Sequence, residues 1–177
     1  LPLGMGVAGI IFVVGLFHRL NTGLSIALAV VLGTGYRVIV FLWPNSMIFM
    51  DPDTYALRSY AYLHGGLPDY VEGFYVEASV FPVFGAESAA MTGLDVATAY
   101  VVFPLVVGIV LPLGAALIVR RVMDEGSIAP PIAAFVVAFD PASMKFSFGP
   151  IPLALASVFI VVSFVGYLIL VDEYDTV

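Results

Sequence analysis

The chain has 177 residues, 62% of them apolar and 11% charged, with a mean hydropathy of +1.10. A soluble domain is about 45–50% apolar and about 25% charged, so water is excluded as the sole solvent of this fold and lipid is the expected one. Thirteen acids against six bases, a formal net charge of −7, argue against a nucleic-acid partner, and the absence of cysteine excludes disulfides and thiolate metal sites.

The first apolar run is Leu3–Phe17, followed by a polar turn at His18–Gly23. The second is Leu24–Trp43, LSIALAVVLGTGYRVIVFLW. Crossing a bilayer as a helix takes about 20 apolar residues, within a range of about 17–25. The second run meets that length, and the first is short. Arg37 lies inside the second run, about 20 Å along it at about 1.5 Å per residue. A charge near mid-bilayer costs at least about 2.5–3.5 kcal/mol on insertion scales. Two readings are open for it: snorkelling to the outer interface, or contact with a lipid-linked phosphate or an outer acid.

Residues 44–99 form the longest polar stretch, and a connection of that length carries function or structure of its own. Asp51 is predicted as a helix N-cap with Pro52 at the first helical position. The helix should run through His64 and stop at Gly65–Gly66, with Pro68 beyond. Leu57, Tyr60, Ala61 and His64 recur at helical spacing, as do Tyr55, Arg58 and Tyr62. That pattern suits a helix lying at the membrane face with tyrosines at the interface. A second helix is expected over roughly 83–91, ending at Thr92–Gly93.

Chemistry in this stretch has a plain and a sharp reading. Asp51 and Asp53 are a cap and a first-turn acid favoured by the helix dipole, or they are a D-x-D site that binds a divalent cation or takes a proton. Two acids alone do not complete the shell of a hard cation. Arg58 is a local helix partner of Asp53 or Thr54, or a phosphate or sugar contact. His64 is a C-terminal cap, or a ligand or base. Glu72 and Glu77 are solvated loop acids by default, although Glu77 stands among aromatics and is a candidate sugar contact. Glu87 reads as the polar face of a surface helix.

The third run, Tyr100–Val119, closes in Arg120–Arg121. A fourth, Ile128–Phe139, is short, begins with Pro130–Pro131, and spans a bilayer only if DPASMKFSFGP extends it. Asp140 and Lys145 bracket that extension. They are an ion pair, or Lys145, the single lysine, binds the anionic head of a polyprenyl phosphate. The fifth run, Ile151–Val171, is again of spanning length. The runs lack the alternation of about 10 residues that barrel strands show, so helices are expected. The fold class is therefore all-α: a polytopic transmembrane bundle of about five helices with a long helical first extracytoplasmic loop. Arg19, Arg120 and Arg121 place one end in the cytoplasm, which leaves residues 44–99, with seven acids and Arg58, outside.

The order of these features resembles a known family. An apolar helix carrying GYRVIVFLW leads into DPDTYALRSYAYLHGG, then FYVEASVFPVFGAESAAMTGLD, a helix closing in ALIVRRV, and FSFGPIPLALASVFIVV. This resembles the N-terminal module of the C-type (GT-C) glycosyltransferase superfamily, which includes oligosaccharyltransferase catalytic subunits and protein mannosyltransferases, and it looks most like archaeal members. The resemblance covers residues 24–171. It implies an integral enzyme of the cell membrane that takes a polyprenyl-phosphate-linked sugar as donor and a protein, lipid or glycan as acceptor. It implies that Asp51 and Asp53 act as catalytic base or metal ligands, with Mg or Mn as the cation. Tyr55, Arg37, Arg58, Glu77 and Lys145 are the expected substrate contacts. Ala56 stands where the family often has a histidine, which departs from its D-x-x-Y-H wording. The chain, opening at Leu1 and ending just after an apolar run, is expected to be the N-terminal part of a longer protein. The rival expectation is a polytopic membrane protein without catalysis, transporter-like or structural.

Overall fold

A computed structural model describes residues 2–17, 21–42, 50–65, 80–123, 127–140 and 152–175, and the account below is of those residues. They are helical, with no strand among them. In chain order the helices are α1 (Pro2–Phe17), α2 (Thr22–Leu42), α3 (Met50–His64), α4 (Val80–Thr92), α5 (Val96–Ala99), α6 (Val102–Val122), α7 (Ala129–Phe139) and α8 (Pro152–Asp175). All five apolar runs are thus helices. Two stretches are long and apolar enough to cross a membrane, Thr22–Leu42 and Val96–Val122. The predicted extension of α7 beyond Asp140 and the part of the turn after α3 that follows Gly65 lie outside the described residues.

Helix ends follow from local chemistry. Pro130 and Pro131 sit in the first turn of α7, where a missing N–H costs no intrahelical bond. α3 begins at Met50, so Asp51 and Pro52 fall inside its first turn, two residues further in than a cap at Asp51 predicts. Gly65 and Gly93, with φ of 127° and 69°, follow the ends of α3 and α4; the left-handed region that ends a helix there is open to glycine at little cost.

The bundle is built on small residues. On the buried face of α2, Ser25, Ala29, Gly33 and Arg37 recur every four residues. Pro130, Ala134 and Ala138 do the same on α7. In lipid the tails outside are as apolar as the side chains inside, so helices associate by close packing, and small residues permit it. A Cβ on Gly33 would stand 2.5 Å from the Ala138 Cβ, and one on Gly108 would stand 2.9 Å from Thr34 Oγ1 and 3.1 Å from Arg37 Cδ. Gly114 meets Val161 of α8 in the same way.

These contacts fix the directions. Ala29 clusters with Ala134, and Gly33 touches Ala138 four residues on in both helices, so α2 and α7 run parallel. Ala116 packs with Ile26 and Ala29 while Gly108 meets Thr34 and Arg37, so α6 runs antiparallel to α2. Gly4 against Tyr36 and Phe12 against Ala29 make α1 antiparallel to α2 as well. Phe12 stacks on Phe135 at 4.3 Å between centroids, closing α1 onto α7. α8 lies along α6 through Val158, Val107 and Leu111. Its remaining surface exposes Phe159, Ile160, Val162, Phe164 and Tyr167, so the helix is apolar on every side.

The α2 seam separates two glycines cleanly. Gly33→Ala should destabilise by about 1–3 kcal/mol, the usual cost of overpacking. Gly35→Ala, where nothing lies within 4 Å, should be neutral or gain about 0.5–1 kcal/mol from helix propensity. Thermal melts of the two variants in one detergent check the difference in sign.

Candidate functional site

At the end of the bundle where α2 finishes and α5 begins, α3 and α4 form an antiparallel helical hairpin. Tyr55 clusters with Ala89 of α4, and also with Phe41, Val96, Ala99, Tyr100 and Phe103. The two stripes read in α3 become its two faces. Tyr55 and Arg58 are buried, at 4% and 6% exposure, while Leu57, Tyr60 and Leu63 are exposed. Arg58 is therefore no freely solvated surface cation.

The hairpin is fixed by one hydroxyl. Ser59 is fully buried, and its Oγ lies 3.0 Å from the Tyr55 carbonyl, 2.6 Å from the Pro82 carbonyl and 2.8 Å from the Tyr100 hydroxyl. Serine has one proton to donate, and the shortest contact assigns it to Pro82; Tyr100 can then donate to Ser59. Three helices meet at this atom: α3, α4 and the start of the α5–α6 stretch. Gly85 makes the approach possible, since a Cβ there would stand 2.6 Å from both Ser59 Oγ and the Tyr100 ring. Sequence reasoning missed Ser59, Pro82, Gly85 and Tyr100. Their signal was faint: Tyr100 opens an apolar run, and a serine amid three tyrosines is unremarkable.

Asp51 and Asp53 occupy the first turn of α3, at the outer corner of the hairpin; their side chains lie outside the described residues. Among the described residues no group of three or more His, Asp or Glu converges to hold a metal ion. Glu72, Glu77 and Lys145 lie outside the described residues. His64 behaves as a cap: its Nδ1 is 2.9 Å from the Tyr60 carbonyl and its ring stacks on Tyr60 at 4.0 Å. Glu87 is exposed on α4, as expected.

Arg37 is 0% exposed, and its Nη2 donates to the carbonyls of Ala138, at 2.9 Å, and Val137, at 3.3 Å. It is thus held inside the bundle by the end of α7, and Asp140 attracts it electrostatically. Snorkelling into the interface does not fit this burial. Asp95, which the sequence marked only as one acid among seven, is the N-cap of α5. It accepts from the Thr98 N–H at 3.0 Å, and hydrogen bonding to Thr98 holds its carboxyl below the usual range.

No protein-family model matches the chain, and no curated protein or solved structure is detectably similar to it.

Tyr100→Phe should cost about 0.5–1.5 kcal/mol, one hydrogen bond. Ser59→Ala should cost more, about 1–3 kcal/mol, because it also withdraws a partner from the buried Tyr100 hydroxyl. Melting of both variants with the double mutant gives the coupling, expected to be non-additive. Asp95→Ala should lose about 1 kcal/mol of capping at neutral pH. A lowered native pKa stabilises above the unfolded pKa and is lost as pH falls through the native one. The wild-type advantage over Asp95→Ala should therefore shrink as the medium is acidified below the ordinary carboxylate range, as melts at stepped pH will read.

Proposed function

We propose that the chain is a multi-pass module of the cell membrane and the N-terminal part of a GT-C type glycosyltransferase. On this reading α1, α2, α5–α6, α7 and α8 form the polytopic bundle, with the α3–α4 hairpin on the extracytoplasmic side. The observation that carries it is the position of Asp51 and Asp53. They stand in the first turn of a helix that Ser59 and Tyr55 pin to the bundle end, and Arg120 and Arg121 stand at the other end of α6. Basic residues on the cytoplasmic side then put the acids outside.

The chemistry follows from that placement. A lipid-linked sugar arrives laterally with its phosphate at headgroup level. A hydroxyl of the acceptor attacks the anomeric carbon, and one carboxylate, Asp51 or Asp53, takes the hydroxyl proton as general base. The bond from the anomeric carbon to the phosphate oxygen breaks, and the polyprenyl phosphate leaves with both bonding electrons. Arg58, on the same helix, and Lys145 are the cations assigned to stabilise that charge. Tyr55, buried against α4, orients the helix, while Glu77 is assigned to the sugar. No step is routed through a metal ion.

A second reading has a specific observation in its favour. A helix of half-membrane length with a charged residue at its end, as in α7 and Arg37, is common in transport folds. On that reading the acids bind a lipid-linked ligand without turning it over.

The two readings part in a reconstituted assay. The full chain in vesicles is given a polyprenyl-phosphate hexose carrying a labelled sugar and a hydroxyl-bearing acceptor. Transfer by the wild type that falls at least about 10²-fold in Asp51→Asn or Asp53→Asn, in line with loss of a general base, supports the transferase. Binding of the donor without transfer supports the second reading, and wild-type transfer in both variants removes the acids from the site.

A further inference from the structure

α7 stops where a membrane helix should not. It has 11 residues, about 16 Å at about 1.5 Å each, whereas α2 has 21 and runs about 31 Å. The two are parallel and start at the same end. Gly33 meets Ala138, which puts the end of α7 roughly 18 Å along α2 and about 13 Å short of its far end. Asp140 there has φ −57° and ψ 126°, so the helical path ends at it; Pro141 follows, and the residue before a proline is pushed out of the α region.

Ending a helix inside a bilayer raises two difficulties. The last four carbonyls have no intrahelical donor, and in hydrocarbon they must be satisfied by protein. The helix C-terminus also carries partial negative charge, to which Asp140 adds a carboxylate. Arg37 answers both. A helical side chain leans toward its own N-terminus, so Arg37 reaches back to the level of Ala138 and donates to two of the terminal carbonyls. Gly108 leaves room for its stem, with the Arg37 Cδ 3.1 Å from where a Cβ would be. In transport folds, half-helix C-termini and unwound carbonyls at this depth coordinate Na⁺ or H⁺; here the chain supplies the cation itself.

We propose that α7 is a half-membrane helix whose C-terminus is closed by Arg37 as a built-in cation. Arg37 is thereby a positioning residue that holds Asp140, at the end of α7, within the outer half of the bundle. This rests on the reading that α2 and α5–α6 cross a membrane, and not on the transferase assignment.

The chain has no cysteine, so single cysteines at the exposed positions Val31 and Val136 can carry spin labels on the full chain in lipid nanodiscs. Both labels should report hydrocarbon depth, at nearly equal levels, by oxygen against nickel-chelate accessibility. Water exposure at both positions refutes the membrane reading; depth at Val31 with a shallow Val136 refutes the half-helix alone. Arg37→Ala should lower the melting temperature by several degrees. Millimolar ethylguanidinium should restore at least half of that loss, and ethylammonium less, because the planar fork spans two carbonyls. An unchanged melting temperature, or no recovery with ethylguanidinium, overturns the capping role. Should Arg37→Ala not accumulate, Arg37→Lys takes its place: a lowered melting temperature with a more mobile Val136 label supports the proposal, and wild-type values for both overturn it.

Discussion

Every carbonyl and N–H removed from water must find a partner, and in this chain that constraint is sharpest at helix ends. Middles of helices satisfy themselves. Ends are met by side chains, from another helix in the case of Arg37 under the last turn of α7, and locally in the cases of Asp95 at the first turn of α5 and Asn21 at the start of α2, where its Oδ1 accepts from the Leu24 N–H. The Arg37 bridge outweighs the others because it is internal. Removing the guanidinium would take its donor from the carbonyls of Val137 and Ala138 at the end of α7.

Close approach is the second condition, and it is what the glycine and alanine ladders provide. A guanidinium reaches the end of a neighbouring helix only when the axes lie near each other. Gly33 against Ala138, and Gly108 against the stem of Arg37, set that separation. The same logic appears in the hairpin, where Gly85 lets α4 settle against Ser59 and Tyr100. A polar knot and a glycine occur together in both places: the glycine brings the axes close, and the hydrogen bonds give the contact a fixed register that dispersion alone would leave free to slide.

Much of the architecture was legible because long apolar runs have few alternatives. Once lipid was inferred, each run had to be helical, and Gly65, Gly93 and Pro130 marked where helices stop or start. The faces of α3 were legible too, since Tyr55 and Arg58 against Leu57 and Tyr60 separate cleanly at 3.6 residues per turn. What the sequence could not show is which helices pair. Ser59 and Pro82 are 23 residues apart and Arg37 and Ala138 are 101 apart, and no local pattern announces such partners. Ser25 and Gly33 read simply as small residues, because a packing ladder is recognised only against its partner helix.

The hairpin is tied through Ser59 chiefly to α4 and to Tyr100, at the head of the α5–α6 stretch. The helix that carries Asp51 and Asp53 is therefore tied to the α5–α6 stretch more than to α2, which leads into it. A tilt or twist of α6, brought on by whatever occupies its far end at Arg120 and Arg121, would carry the first turn of α3 with it. The hairpin and α6 thus form one lever, pivoting on a single serine.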